Sequence, residues 1–108
     1  MTLRLSKPWL QLNAETVARV PGQLGVYQLA DSERVVVYIG YAGGKSLFGL
    51  RSELQRRIDE GAATQFRYEV NMQYLTRYQE LLMLHKADHS ELPAMNAAEP
   101  PVRLGRLG

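Results

Sequence analysis

The stretch that decides the fold is residues 24–40, LGVYQLADSERVVVYIG. Two runs of strand-forming residues, 24–30 and 35–39, flank the polar tetrapeptide 31–34. Valine, isoleucine and tyrosine are enriched in strands, and a polar segment of this length is typical of a hairpin turn. The stretch therefore predicts an antiparallel β-hairpin.

The two faces of this hairpin differ in character. If the turn closes symmetrically, Tyr27 lies opposite Tyr38 and Gly25 lies opposite Gly40. Side chains alternate between the faces of a strand, which places aliphatic residues on a predicted core face: Leu24, Val26, Ala30, Val35, Val37 and Ile39. The other face carries the two phenols, with glycines that leave space for a ligand. That face resembles a functional site, although tyrosines are also ordinary cross-strand partners in sheets.

The rest of the chain predicts helices around one further strand. Asn13 is suited to cap a short helix that ends near Arg19. Apolar residues at helical spacing predict a second helix that Gly61 ends, at positions 47, 50, 54 and 58. Alternation over residues 66–71 predicts a third strand, and residues 74–87 a longer helix. Asn96, with Glu99 three residues later, predicts another helix cap.

Together these elements predict an α+β fold, a three-stranded antiparallel sheet flanked by helices. The 108 residues are 45% hydrophobic and 22% charged, which predicts one globular domain with a core at about 14–99 and a flexible tail at 100–108. The absence of cysteine excludes disulfides and thiolate metal sites. We find neither a leader-like N-terminus nor an apolar run of about 20 residues, so we expect a cytoplasmic protein with no membrane partner.

The charge pattern permits a polyanionic partner without requiring one. The formal net charge is +2 with a pI of about 9.1, and ten arginines stand against three lysines. Arginine presents a planar fork suited to phosphate, although a GC-rich genome would produce the same bias.

Two short motifs do not support an activity. The loop GYAGGKS at 40–46 lacks the first glycine of a Walker motif at the required position, Ile39, so we exclude nucleotide hydrolysis but keep Lys45 as a possible phosphate contact. His85 and His89 stand one helical turn apart, but Lys86 replaces the glutamate of the zinc-protease motif. A solvated helix end is the expected interpretation of that pair.

The tripeptides Gly-Val-Tyr at 25–27 and Tyr-Ile-Gly at 38–40, eleven residues apart from tyrosine to tyrosine, resemble the paired signature of the GIY-YIG endonuclease superfamily. Three downstream residues in the right order agree with the resemblance, Arg51, Glu80 and Asn96. The similarity spans residues 24–96. It implies a small three-stranded antiparallel sheet flanked by helices and metal-dependent hydrolysis of phosphodiester bonds in DNA.

The resemblance also implies a role for each residue. Tyr27 would act as the general base or orient it, and Tyr38 would position water or phosphate. Arg51 would stabilise charge on the phosphoryl oxygens, Glu80 would hold one Mg²⁺ or Mn²⁺ ion, and Asn96 would orient the site. Phosphoryl transfer depends mainly on positioning and charge neutralisation, so this set is chemically coherent.

Two departures keep a second hypothesis open. The position one turn after Arg51, where family members often carry a second proton-handling residue, holds Gln55, which does not exchange protons at neutral pH. The loop before Arg51 is also long, so Arg57 is a rival for the arginine role. The alternative to a nuclease is a catalytically silent module that uses cationic side chains to bind nucleic acid or a protein partner, namely Lys45, Arg51, Arg56 and Arg57.

Overall fold

The computed structural model describes residues 4–44 and 47–98, and these form an α+β fold. The sheet has four antiparallel strands in the order β1-β4-β2-β3. In chain order the elements are β1 (Leu10–Gln11), α1 (Ala14–Val17), β2 (Gly25–Ala30), β3 (Val36–Ala42), α2 (Gly49–Glu60), β4 (Gln65–Val70), α3 (Tyr74–His89) and α4 (Ala94–Ala98). The predicted fold class is confirmed.

The strand that the prediction lacks is β1. Its two residues pair with Phe66 and Gln65 at the outer edge of β4. A strand this short has no alternation from which a period can be recognised, so the sequence predicts three strands where the sheet has four.

The helix ends follow the capping signals in the sequence. The side chain of Asn13 accepts a hydrogen bond from the backbone N–H of Thr16, and α1 ends at Val17, two residues earlier than expected. The N–H of Arg19 bonds back to the Thr16 carbonyl, which tightens the turn after the helix. Gly61 ends α2 in the left-handed conformation, with φ of 69°, as predicted.

The hairpin forms, but its predicted register is wrong by two residues. Tyr27 lies opposite Gly40, and Gly25 lies opposite Ala42. The expected pairing of Tyr27 with Tyr38 assumed a symmetric turn and an unbroken ladder. Neither assumption holds.

Two local features produce the shift. The N–H of Asp31 donates to the carbonyl of Val35 across a three-residue loop, in which Arg34 adopts φ of 66°. The ladder then shifts between Leu29 and Ala30, where β3 contains one extra residue, Val37. Each feature displaces the register by one residue. Because the total is even, the two tyrosines still share a face.

Both faces of the sheet are buried, so the prediction of a single core face is wrong. The tyrosine-side core, beneath α1 and α2, contains Val17, Val20, Tyr27, Leu29, Tyr38, Ala42, Leu50, Leu54 and Phe66. The α3-side core, on the opposite face, contains Leu5, Val26, Ile39, Tyr78 and Leu81. Val35, expected in the core, is 55% exposed because it lies at the turn. None of the described helices is long and apolar enough to cross a membrane.

Candidate functional site

The two signature tyrosines lie side by side on the face covered by α2. Their ring centroids are 6.1 Å apart, and Tyr27 is fully buried, while Tyr38 is 7% exposed. Both phenols are therefore core residues, packed against a helix.

Arg57 joins the two tyrosines. Its Nε donates to the Tyr27 hydroxyl at 3.1 Å, and its guanidinium carbon lies 4.1 Å from the centre of the Tyr38 ring. Its Nη1 donates to Glu60 at 2.9 Å. The arginine that meets the phenols is thus the rival residue Arg57 rather than Arg51.

Glu53 is a member of this group that the sequence analysis missed. The Tyr27 hydroxyl donates to its Oε1 at 3.3 Å, and Arg56 donates to the same oxygen at 2.7 Å. The sequence does contain a signal for it. Leu50, Glu53, Leu54 and Arg57 follow the spacing i, i+3, i+4 and i+7, so the two charged residues share the stripe of α2 that faces the core. We call Tyr27, Tyr38, Glu53 and Arg57 the tyrosine–arginine cluster.

Burial sets the ionisation of the cluster. It raises the pKa of the Tyr27 hydroxyl well above its ordinary value, and the positive charge of Arg57 only partly offsets this. Burial alone would lower the pKa of Arg57, but Tyr27 and Glu60 raise it above its ordinary value. At neutral pH the cluster therefore combines a neutral phenol with a charged guanidinium.

Asn96 is buried inside α4 and does not cap it. Its Oδ1 accepts from the backbone N–H of Ile39 at 2.7 Å, and its Nδ2 donates to the Ile39 carbonyl at 2.9 Å. β3 is an edge strand, with no neighbouring strand on its outer side in the described part of the chain. The Asn96 amide supplies the hydrogen bonds that such a strand would make to Ile39, the middle residue of the second tripeptide. The predicted cap is wrong, while an orienting role for Asn96 stays a prediction. Glu99 lies outside the described residues.

The structure does not bring Arg51 and Glu80 to the phenols. The Nε of Arg51 donates to the Val20 carbonyl at 2.8 Å. Glu80 lies on α3, which packs against the other face of the sheet, and pairs with Arg77. Arg77 also bonds Glu69 of β4. The expectation that all five family positions converge is not met.

The remaining predicted contacts lie on or near α2. Arg56 is exposed and shared between Glu53 and Glu60, and Gln55 is exposed. Lys45 lies outside the described residues.

The described carboxylates do not fit a Mg²⁺ or Mn²⁺ ion at the phenols. Magnesium prefers near-octahedral oxygen coordination. Glu53 and Glu60 accept hydrogen bonds from arginines, and Glu80 pairs with Arg77 on the opposite face. Within residues 4–44 and 47–98, no group of three or more histidine or acidic side chains is arranged to hold a metal ion. The predicted metal role of Glu80 stays a prediction, and we assign no chemical step to an ion.

Comparison with protein families gives one result. A family model described as "Domain of unknown function (DUF7508)" matches residues 2–88. The chain belongs to this family. The match covers the whole tyrosine–arginine cluster of the DUF7508 domain and ends before α4. Neither the curated proteins nor the solved structures gave a match.

The signature glycine at position 40 has a packing reason that predicts the effect of replacing it. A Cβ at Gly40 would lie 2.5 Å from Cζ of Tyr27 and 2.7 Å from Cε2 of Tyr38. Because the Tyr27 ring is fully buried and cannot swing away, we expect Gly40→Ala to lower the free energy of unfolding by about 1–3 kcal/mol. Chemical denaturation measures this loss.

Gly44→Ala is the matched control for this substitution. A Cβ at Gly44 would meet no atom of the described residues within 4 Å, so the same added methyl group should change stability by less than about 0.5 kcal/mol. Equal effects of the two substitutions would contradict the packing role of Gly40.

Proposed function

We propose that this protein is a GIY-YIG-like module that binds nucleic acid, with DNA as the first candidate, and does not cleave it. The absence of cleavage is inferred from the burial of Tyr27, whose hydroxyl is bonded to both Arg57 and Glu53. The cluster then has a structural role: it fixes α2 on the sheet.

A buried phenol is poorly placed for general-base catalysis. A base has to come within about 2.6–3.2 Å of the proton that it removes, directly or through one water. With Tyr27 fully buried, a phosphodiester would have to displace α2 to reach the hydroxyl. Even an ordinary phenol, with a pKa of about 10, costs roughly 4 kcal/mol to ionise near neutral pH. The raised pKa of Tyr27 increases that cost.

Two features of the sequence support a nucleic-acid partner. The hairpin signature resembles a superfamily of nucleases, and the net charge is +2 with ten arginines among thirteen basic residues. On α2, however, Arg51 is bonded to a backbone carbonyl, and Arg56 is shared between two glutamates. The binding surface therefore has to include cations away from α2.

Binding and cleavage assays on the same substrates test this proposal. We expect fluorescence anisotropy to detect binding to DNA that weakens about tenfold or more from 50 to 200 mM salt, as arginines displace counterions from phosphates. Branched, nicked, single-stranded and duplex substrates should remain uncut with Mg²⁺ or Mn²⁺. Affinity that is independent of salt would instead indicate a protein partner.

A metal-dependent endonuclease is the second candidate, favoured by the placement of two phenols and a guanidinium on one sheet face. It requires α2 to move away from the sheet when substrate binds. Metal-dependent cutting by the wild type that is lost in Tyr27→Phe would establish this candidate and overturn the first, and Glu80→Gln would then test the predicted metal role of Glu80.

A further inference from the structure

Arg67 of β4 carries a partly buried charge with no carboxylate partner among the described residues. Its Nε donates to Gln28 at 2.7 Å and its Nη1 to the Lys7 carbonyl at 3.3 Å, while the guanidinium lies 4.1 Å from the centre of the Trp9 ring. Burial lowers the pKa of Arg67, and no opposing charge restores it. Neutral acceptors and an aromatic ring orient this guanidinium but leave its charge uncompensated.

Further basic groups surround the same place. Arg67 lines a depression of about 100 Å³ between the N-terminal segment and the C-terminal half of α3, together with Arg4, His85 and His89. The imidazole centroids are 4.3 Å apart. Asp88 is the one carboxylate among the lining residues in the part of the chain that the structure describes, and Arg4 engages both its oxygens, at 2.6 and 2.8 Å. The depression thus combines two guanidiniums and two imidazoles with one neutralised acid.

We propose that this depression binds a phosphate group, held by Arg67, His85 and His89 with Arg4 at its rim, and that it is a contact site for the nucleic-acid backbone. The second clause rests on the proposed function. Guanidiniums bind phosphate through several directed hydrogen bonds. A divalent cation on the two histidines, the other chemistry that their spacing allows, would be repelled by the adjacent arginines.

His85 makes the site sensitive to pH. Burial and the neighbouring His89 lower the pKa of His85, while Asp88 and Glu91 oppose this shift. Arg4 and Arg67, from the N-terminal segment and β4, add positive charge at the same depression. Because phosphate favours the charged imidazole of His85, whose pKa is lowered, affinity should rise as the pH falls below the ordinary titration range of histidine.

The test compares two arginines on opposite faces of the sheet in fluorescence anisotropy with a short single-stranded DNA. Arg67→Gln should weaken binding on the order of tenfold and reduce the salt slope by about one. Arg19→Gln removes the same charge from an exposed position after α1, so it should change affinity less than about twofold. Equal losses in the two variants would overturn the site while leaving nucleic-acid binding in place.

Substitutions of His85 and His89 at the end of α3 provide a second test in case Arg67→Gln does not fold. The double variant His85→Gln with His89→Gln replaces one half-buried and one exposed side chain. It should abolish the increase in DNA affinity expected as the pH falls from about 7.5 to about 5.5. Unchanged pH dependence in this folded variant would overturn the role of the histidines.

An NMR titration of the imidazole resonances with inorganic phosphate separates the two parts of the inference. Shifts in the wild type that are reduced or lost in Arg67→Gln, which keeps both imidazoles, are expected. If phosphate produces these shifts but the protein binds neither DNA nor RNA, the proposed function is overturned. The phosphate site then stands as a site for a small phosphorylated ligand. No shifts with phosphate, or shifts with Zn²⁺ instead, would overturn the site.

Discussion

Asn96→Leu should lower the free energy of unfolding by about 2–5 kcal/mol. The Asn96 amide bonds both backbone groups of Ile39, at 2.7 and 2.9 Å, at a position where Ile39 itself is fully buried. Leucine has a similar size but leaves a donor and an acceptor unpaired in the interior, at about 1–3 kcal/mol each. Chemical denaturation followed by circular dichroism measures the loss.

Asn71→Leu is the control, with the same substitution in a less buried setting. The Asn71 side chain accepts from the Gln73 N–H at the start of α3 and donates to Glu69, and its surroundings are partly open. Water can replace these partners, so we expect a loss of about 1 kcal/mol. If Asn96→Leu costs no more than Asn71→Leu, the amide does not hold the edge of β3.

Local signals in the sequence predicted the elements that local interactions determine. The Asn13 cap, the stop at Gly61 and the strand that became β4 each depend on a few neighbouring residues. The register of the hairpin did not follow, because it depends on the left-handed Arg34 and on the bulge at Val37. Neither position has the glycine that would have indicated such a conformation.

The candidate site was predicted in part, for a similar reason. The alternation of side chains along each strand predicted Tyr27 and Tyr38 on one face. This prediction is confirmed because the register is displaced by two residues, which leaves each side chain on its original face. Which charged residues meet the phenols depends on how the helices pack, and the order of residues in a family signature does not determine that. Glu80 lies on the wrong face for the predicted set, whereas Glu53 was overlooked although its helical phase matches that of Arg57.

Arg57→Met should cost about 2–4 kcal/mol of unfolding free energy, because it removes the charge that bonds the Tyr27 hydroxyl and Glu60 and covers the Tyr38 ring. Methionine retains apolar bulk, so the loss reports mainly on the hydrogen bonds and the charge. Arg56→Met is the control one residue away. Arg56 is 55% exposed where Arg57 is 8% exposed, and exposed ion pairs contribute at most about 1 kcal/mol.

A double-mutant cycle with Tyr27→Phe assigns the loss to the cluster itself. Phenylalanine keeps the ring and removes the hydroxyl that links Arg57 to Glu53, so we expect a coupling of about 1–3 kcal/mol between positions 27 and 57. That result would show that the cluster stabilises the packing of α2 on the sheet. A residue retained for catalysis commonly costs stability, so its removal is often neutral or stabilising. If Arg57→Met leaves the free energy of unfolding unchanged or raises it, with no coupling to Tyr27, the structural role of the cluster is contradicted. The case for the endonuclease then becomes stronger.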